Sequence, residues 1–259
     1  MDRVNQHDSS VPAGPPRPKT VVVMPAYNAE KTLEHTYRSI PPDWVDTFIV
    51  VDDGSYDRTH AVARELGLAV IRHPHNAGYG ANQKTCYTQA LAGDAEIVIM
   101  LHPDGQYDPK IIPDLVGPLA RNQADVVLGS RMLVPGHARA GGMPLYKRIA
   151  NRFLTWVENL VLGQSLSEYH TGYRAYRRQV IETIPYLRNS NDFVFDTQFL
   201  FQAVAFGFRI AEVPVTTRYF PQASSVGFRR SVVYGLGTLQ VAMRYVLHRL
   251  GWRSRLFWR

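Results

Sequence analysis

The chain predicts an α/β fold, a mostly parallel sheet flanked by helices, on two observations. Strand and helix patterns alternate from about residue 20 to residue 131. Within that alternation lies an uncharged apolar run, Ile97-Val-Ile-Met-Leu101. A strand without polar alternation is buried on both faces, as in parallel sheets. The run stops at His102-Pro-Asp-Gly105, where Pro103 and Gly105 end the pairing and turn the chain outward. Asp104 is thereby held at the carboxyl end of a central strand, the edge at which open α/β sheets bind ligands. Flanked by His102 and Gln106, it is a candidate ligand for a hard divalent ion or for an ion carried by phosphates. A plain Asp-Gly turn is the alternative.

In chain order, residues 1–19, with Pro12, Pro15, Pro16 and Pro18 and almost nothing apolar, read as a disordered leader. A β-branched strand follows over Thr20–Met24, then a helix near Glu30–Ile40. A second strand over Thr47–Val51 ends at Asp52-Asp-Gly-Ser55, and Asp57 is placed to cap a helix running to about Leu66. Leu68–Ile71 is a third strand, and His73-Pro-His-Asn-Ala-Gly-Tyr-Gly80 opens a helix that reaches about Leu91. After the apolar run come a helix over Pro109–Ala120 and a strand over Val126–Leu128 that ends at Gly-Ser-Arg131. Residues 132–143, with Pro135, Gly136, Gly141 and Gly142, form a long connection able to cover a site. Leu145, Ile149, Phe153, Trp156 and Leu160 recur at helical spacing beside Lys147, Arg148 and Arg152. Such a stripe is ordinarily core, and with its basic neighbours it also suits a bilayer surface. A strand near Gly172–Tyr176, a helix over Phe195–Phe206 and an extended segment from Val213 follow. The last amphipathic helix carries Val232, Leu236, Leu239, Met243, Val246 and Leu250 and runs into a basic, aromatic tail.

Composition narrows the partners. A formal charge of +7 points to an anion: nucleotide, nucleic acid or acidic lipid. Acids at strand ends make a poor surface for a phosphate backbone, so nucleic acid is set aside. One cysteine, Cys86, excludes an internal disulfide and fits a reducing compartment, with the thiol as packing. No secretory h-region follows the start, and no apolar run reaches the roughly 18 residues of a membrane span. The expectation is a cytoplasmic protein, soluble or peripheral on the membrane.

A parallel sheet brings its carboxyl ends to one rim, so Tyr27 and Asn28, Asp52 and Asp53, Asn76 through Gly80, and Asp104 should converge. Asp52 and Asp53 suit ribose hydroxyls or a base N–H. Asn76-Ala-Gly78 offers flexible backbone beside a helix start. Asp104 would hold an ion against a diphosphate and take up charge on a leaving group. His73 and His75, with no matching third ligand, read as surface loop residues.

The set Pro25-Ala-Tyr-Asn28, Val51-Asp-Asp-Gly-Ser-Tyr-Asp-Arg-Thr59, Asn76-Ala-Gly-Tyr-Gly-Ala81 and Asp104-Gly-Gln106 resembles the family-two inverting glycosyltransferases. It is most similar to the dolichyl- or polyprenyl-phosphate mannosyltransferase-like branch. Gly129-Ser-Arg131, Thr171-Gly-Tyr-Arg-Ala-Tyr176 and Glu212-Val-Pro214 extend the likeness to about residues 20–220. The resemblance implies a GT-A fold over residues 20–230, with 231–259 as a basic amphipathic helix and tail. It implies a UDP- or GDP-linked sugar donor, Mg²⁺ or Mn²⁺, and glycan assembly at the cell envelope, with a polyprenyl phosphate and a membrane surface as candidate partners. By motif, Pro25, Tyr27, Asn28 and Glu30 surround base and ribose, Asp53 binds the nucleoside and Asp52 supports it. Asn76, Gly78 and His102 belong to the same donor site, and Asp104 with Gln106 forms the metal loop.

Where the family usually has Asp-X-Asp, this chain has His102-Pro-Asp104. An imidazole cannot match the missing charge, so His102 is either a loop-shaping donor or a contact to metal or diphosphate. Glu168, four residues before Gly172, is the candidate general base for a hydroxyl acceptor. Asp196, at a helix start, ranks below it. Arg131 is a candidate to neutralise phosphate, and Arg174 is either that or an ion-pair partner. Arg218, in Arg218-Tyr-Phe-Pro221, is a weaker phosphate candidate. A nucleotidyltransferase and a binding protein with a decayed metal motif are the competing functions.

Overall fold

A computed structural model describes residues 17–218 and 227–258. Most of the leader, the Tyr219–Pro221 part of the Arg218 segment and the final Arg259 lie outside them. Residues 17–19 are tied to the body: Arg17 forms a two-pronged ion pair with Asp46, and Lys19 donates its backbone N–H to Glu96.

The elements are β1 (Thr20–Ala26), α1 (Leu33–Arg38), β2 (Thr47–Asp52), α2 (Thr59–Glu65), β3 (Ala69–Arg72), α3 (Tyr79–Ala92), β4 (Ile97–Met100) and α4 (Ile112–Ala120). They continue as β5 (Val126–Ser130), α5 (His137–Ala140), α6 (Leu145–Leu162), β6 (Arg174–Arg177), α7 (Arg178–Thr183), α8 (Phe195–Ala205), β7 (Ile210–Pro214) and α9 (Phe228–Arg249). The strands form one sheet in the order β3-β2-β1-β4-β6-β5-β7. Strands β1 to β4 are parallel, and β7 is parallel to β5.

β6 departs from the parallel expectation. It runs antiparallel between β4 and β5, with Arg174 opposite both Met100 and Leu128. A strand reversed in this way starts at the rim where its neighbours end. Thr171, Gly172 and Tyr173 therefore join the ligand edge. Side chains alternate across the sheet, so Val21 and Val23 enter one core and Val22 and Met24 the other. That double burial explains the apolar strands, and Cys86 is packed in the first core.

The two long helices overturn the core expectation for their apolar stripes. On α6, Leu145, Ile149, Phe153, Trp156 and Leu160 are 53–70% exposed, while Asn151, Leu154, Thr155, Glu158 and Leu162 face inward. On α9, Val232, Leu236, Met243, Val246 and Leu250 are exposed, while Thr238, Val241, Ala242 and Tyr245 are buried. The inward polar groups go with the reversal: Asn151 and Thr155 are hydrogen-bonded there, and Glu158 approaches a histidine. The side chain of Glu158 lies 3.1 Å from His170 Nε2, and His170 Nδ1 meets the Tyr234 hydroxyl of α9 at 2.7 Å. That hydroxyl also meets Thr197 of α8. Among the described residues, no helix is long and apolar enough to cross a membrane.

Candidate active site

The rim is assembled loop against loop. After β1, Asn28 takes a left-handed backbone (φ 51°), donates its N–H to Ser55 Oγ and accepts the Tyr56 N–H at its side-chain oxygen. Glu30 accepts the Arg58 N–H at 2.9 Å. Asp57 lies one residue outside the cap position of α2, where it accepts N–H groups of Thr59 and Glu30. Two of the residues expected around the base and ribose, Asn28 and Glu30, thus hold the β1 loop to the β2 loop. Pro25 is buried within β1, and Tyr27 stays exposed, edge-on to Tyr56. Gly54 permits the next contact: at its φ of +68° a Cβ would lie 2.7 Å from the His75 carbonyl carbon.

The adjacent acids are engaged differently. Asp53 has both oxygens engaged inside the chain: Oδ1 accepts the Ala77 N–H and meets His73 Nδ1, and Oδ2 accepts the Gly78 N–H. It clamps β2 to the Asn76–Gly80 loop. His73, expected at the surface, completes the clamp by reaching Thr85 Oγ1 through Nε2, while His75 and Asn76 are exposed. Asp52 is fully buried; Oδ1 accepts the Ser55 N–H, and Oδ2 lies 3.3 Å from Arg72 Nε without a hydrogen-bond donor. Asp53 Oδ2, with one N–H donor, keeps a second acceptor position.

The Asp104 loop is braced from four sides. Thr32 Oγ1 donates to the Pro103 carbonyl at 2.5 Å, and the Gln106 N–H donates to Asp104 Oδ1 at 3.0 Å. The Arg218 N–H donates to the Gln106 carbonyl, and the Tyr107 hydroxyl accepts the Gly172 N–H. Gln106 is itself buried, and the exposed Arg218 acts here through its backbone. Burial pushes the Asp104 carboxyl above its usual range, with His102 pulling the other way. Burial likewise pushes His102 down, opposed by Asp104 and Asp196. Among the described residues no group of three His, Cys, Asp or Glu side chains could cage a metal. One desolvated carboxylate instead fits an ion that arrives on a diphosphate, since such ions take one or two protein carboxylates and keep phosphate and water as other ligands.

Asp196 is held by groups of α3 and β6. It sits beside this loop, accepting the Tyr79 hydroxyl at 2.8 Å and the Gln83 amide at 3.0 Å, and it pairs with the buried Arg174 at 3.2 Å. Burial works against the Arg174 charge, and Asp196 together with Tyr176, Tyr79 and Tyr87 outweighs it, so Arg174 is an ion-pair partner.

Glu168 contradicts its expected role as base. It is fully buried and accepts the Arg131 backbone N–H, the Arg131 guanidinium and the Asn151 amide. Burial raises its pKa, but the charge and hydrogen bonds of Arg131 outweigh that and hold it below the usual carboxylate range. A carboxylate this well satisfied does not take a proton from an acceptor near neutral pH. Glu212, quoted only as part of a motif, positions the segment by accepting the N–H groups of Ser167 and Glu168.

Arg131 also borders a cavity beneath the 132–143 connection, lined by Arg139, Arg148 and Arg152 together with Leu145 and Ile149. Arg148 Nε is buried there without a hydrogen-bond partner. An orphaned guanidinium donor among other arginines is complementary to an anion, and Leu145 and Ile149 lead onto the exposed stripe of α6.

The chain was compared with known proteins. The profile of glycosyl transferase family 2 matches residues 21–184. The chain is 32% identical over 206 residues to an uncharacterized protein of Methanocaldococcus jannaschii, covering 80% of this chain and 84% of that one. It is 29% identical to the polyprenol monophosphomannose synthase of Mycolicibacterium smegmatis, covering 78% of each. Glucosyl-3-phosphoglycerate synthase from Mycobacterium tuberculosis, solved with Mn²⁺, UDP and glucosyl-3-phosphoglycerate, superposes with a TM-score of 0.64 at 21% identity. That match covers 92% of this chain and 82% of the other, and at that identity it is a likeness of fold, the GT-A fold expected above.

Proposed function

The chain belongs to glycosyl transferase family 2, and on that premise we propose that it moves a sugar from a nucleoside-diphosphate donor to a polyprenyl phosphate at a membrane surface. Membership makes it a glycosyltransferase and sets aside the nucleotidyltransferase and binding-only readings. The observation that carries the acceptor is the cavity, where Arg139, Arg148 and Arg152 meet an apolar stripe. An acceptor with an anionic head and a greasy tail matches both halves. The name of the mycobacterial relative, a polyprenol monophosphomannose synthase, supports the same class.

Asp53, whose Oδ2 accepts a single N–H, would meet the nucleoside while holding the surrounding loops in place, with the buried Asp52 supporting it. Asp104 would hold a Mg²⁺ or Mn²⁺ ion, its carboxylate aligned by the Gln106 N–H. When bound, that ion neutralises charge developing on the departing diphosphate. The acceptor phosphate, held by Arg148 and its neighbours, attacks the anomeric carbon from the face opposite the leaving group, inverting it. A phosphate is already an anion, so no side chain has to remove a proton. That agrees with Glu168 and Asp196 being engaged elsewhere.

Arg148→Gln is expected to raise the KM for polyprenyl phosphate about tenfold or more, the worth of one charge-assisted contact, while nucleotide binding by calorimetry stays the same. An unchanged KM would remove the cavity from the reaction. The stripe makes a separate prediction. Ile149→Ser/Phe153→Ser/Trp156→Ser should abolish cosedimentation with anionic liposomes, because it strips three exposed anchors beside a basic cluster. Undiminished cosedimentation would refute docking by α6.

A further inference from the structure

His102 occupies the place at which the family usually has the first acid of Asp-X-Asp, and its surroundings determine which ring nitrogen carries the proton. The imidazole stacks on the Tyr79 ring, centroids 5.4 Å apart and planes 9° from parallel. Its Cδ2–Nε2 edge rests on the backbone of Gly172, where an added Cβ would come within 2.9 Å of Cδ2 and 3.0 Å of Nε2. Nε2 is 3.3 Å from the Tyr79 hydroxyl, and that hydroxyl donates its proton to Asp196 at 2.8 Å. A hydroxyl that donates to a carboxylate can only accept from its second neighbour. Nε2 therefore carries the imidazole proton, and Nδ1, away from the Gly172 wall, keeps a lone pair.

This is the arrangement of a ligating histidine. Such residues hand their second N–H to an oxygen that fixes tautomer and ring plane, and here Tyr79 does so with Asp196 behind it. We propose that His102 Nδ1 and Asp104 together bind the nucleotide-borne divalent ion as a mixed nitrogen–oxygen site, selecting Mn²⁺ over Mg²⁺, with Tyr79 and Asp196 as the supporting shell. The selectivity follows from ligand chemistry: both ions take oxygen, but Mg²⁺ accepts little else, whereas Mn²⁺, the first member of the Irving–Williams series, also accepts an imidazole nitrogen. The proposal rests on the reading of Asp104 as the residue that holds the ion.

The test is pulsed electron paramagnetic resonance of the full chain with Mn²⁺ and UDP, and in parallel with Mn²⁺ and GDP. Wild type should show the ¹⁴N coupling of a directly bound imidazole. His102→Gln should lose that coupling and still bind Mn²⁺ through Asp104. In His102→Asp, the ratio of Mn²⁺ to Mg²⁺ affinity should fall about tenfold or more, and Tyr79→Phe should weaken Mn²⁺ binding about tenfold or more by freeing the ring. Circular dichroism checks that each variant is folded. Bound Mn²⁺ without nitrogen coupling in wild type, or coupling that persists in His102→Gln, overturns the proposal and leaves the Asp104 reading standing. Failure of folded wild type to bind Mn²⁺ with either nucleotide overturns both.

Discussion

Asp104→Asn is expected to lower sugar transfer by about three orders of magnitude, the scale on which loss of one preorganised charge stabiliser acts. The amide keeps the side-chain oxygen that accepts the Gln106 N–H, and the bracing from Thr32 and Tyr107 does not involve Asp104. The loop should therefore survive the change. Stability should respond in the opposite direction to activity. Burial raises the Asp104 pKa in the folded chain above its unfolded value, so ionisation costs native stability. That cost is absent below the unfolded value near about 4, grows as pH rises towards the raised one and is complete above it. Metal-free Asp104→Asn should consequently melt at or above the wild-type temperature at pH 7, with the difference vanishing in acid. Paired assays of transfer and thermal unfolding check both. Turnover within tenfold of wild type would exclude the ion-holding role.

Glu168→Ala is expected to destabilise the protein by about 3–5 kcal/mol, because it leaves the Arg131 guanidinium buried without its counter-charge. For a chain of this size that is a fall of roughly 10 °C in Tm. The pH dependence has a definite sign. The folded pKa of Glu168 lies below its unfolded value, so the stabilisation is present above about 4.3 and is lost as pH falls through the lowered value. Arg131→Met/Glu168→Leu should recover most of the loss, since apolar residues of similar volume replace a buried pair at little net cost. Arg131 also borders the arginine-lined cavity, so the double variant separates its two roles. Recovered stability with transfer still lost assigns Arg131 to the ligand, and recovery of both assigns it to the scaffold. A wild-type Tm for Glu168→Ala would show that Arg131 has found another counter-charge.

Short motifs at the ends of apolar runs were legible because of strand geometry. An acid that follows a doubly buried strand must emerge at the rim, so Asp52, Asp53 and Asp104 could be placed on one edge before any contact was known. Which of two neighbouring acids remains open to a ligand is a different question. It is decided by donors far along the chain: Ala77, Gly78 and His73 fill three acceptor positions of Asp53, while Ser55 and Arg72 engage one oxygen each of the buried Asp52. Glu168 misled for the same reason, since 37 residues separate it from the Arg131 side chain that neutralises it. The partners of Asp196 lie outside any local motif, because Tyr79, Gln83 and Arg174 meet it only when α3, β6 and α8 are packed together.

Periodicity had a similar reach and a similar limit. The spacing of Leu145, Ile149, Phe153, Trp156 and Leu160 establishes that one face of α6 is apolar, and nothing in the spacing says on which side the body of the protein lies. Packing turned the polar face of Asn151, Thr155 and Glu158 inward, where Asn151 and Thr155 are hydrogen-bonded and Glu158 lies against His170, and it left the apolar face outside. By itself, then, the sequence determined the α/β class, the ligand edge and the family, because these follow from local runs and their order. The tertiary structure alone decided which groups engage each acid, which face of α6 is exposed and which side chains surround His102. Each of those depends on a donor, acceptor or wall supplied by residues distant in the chain.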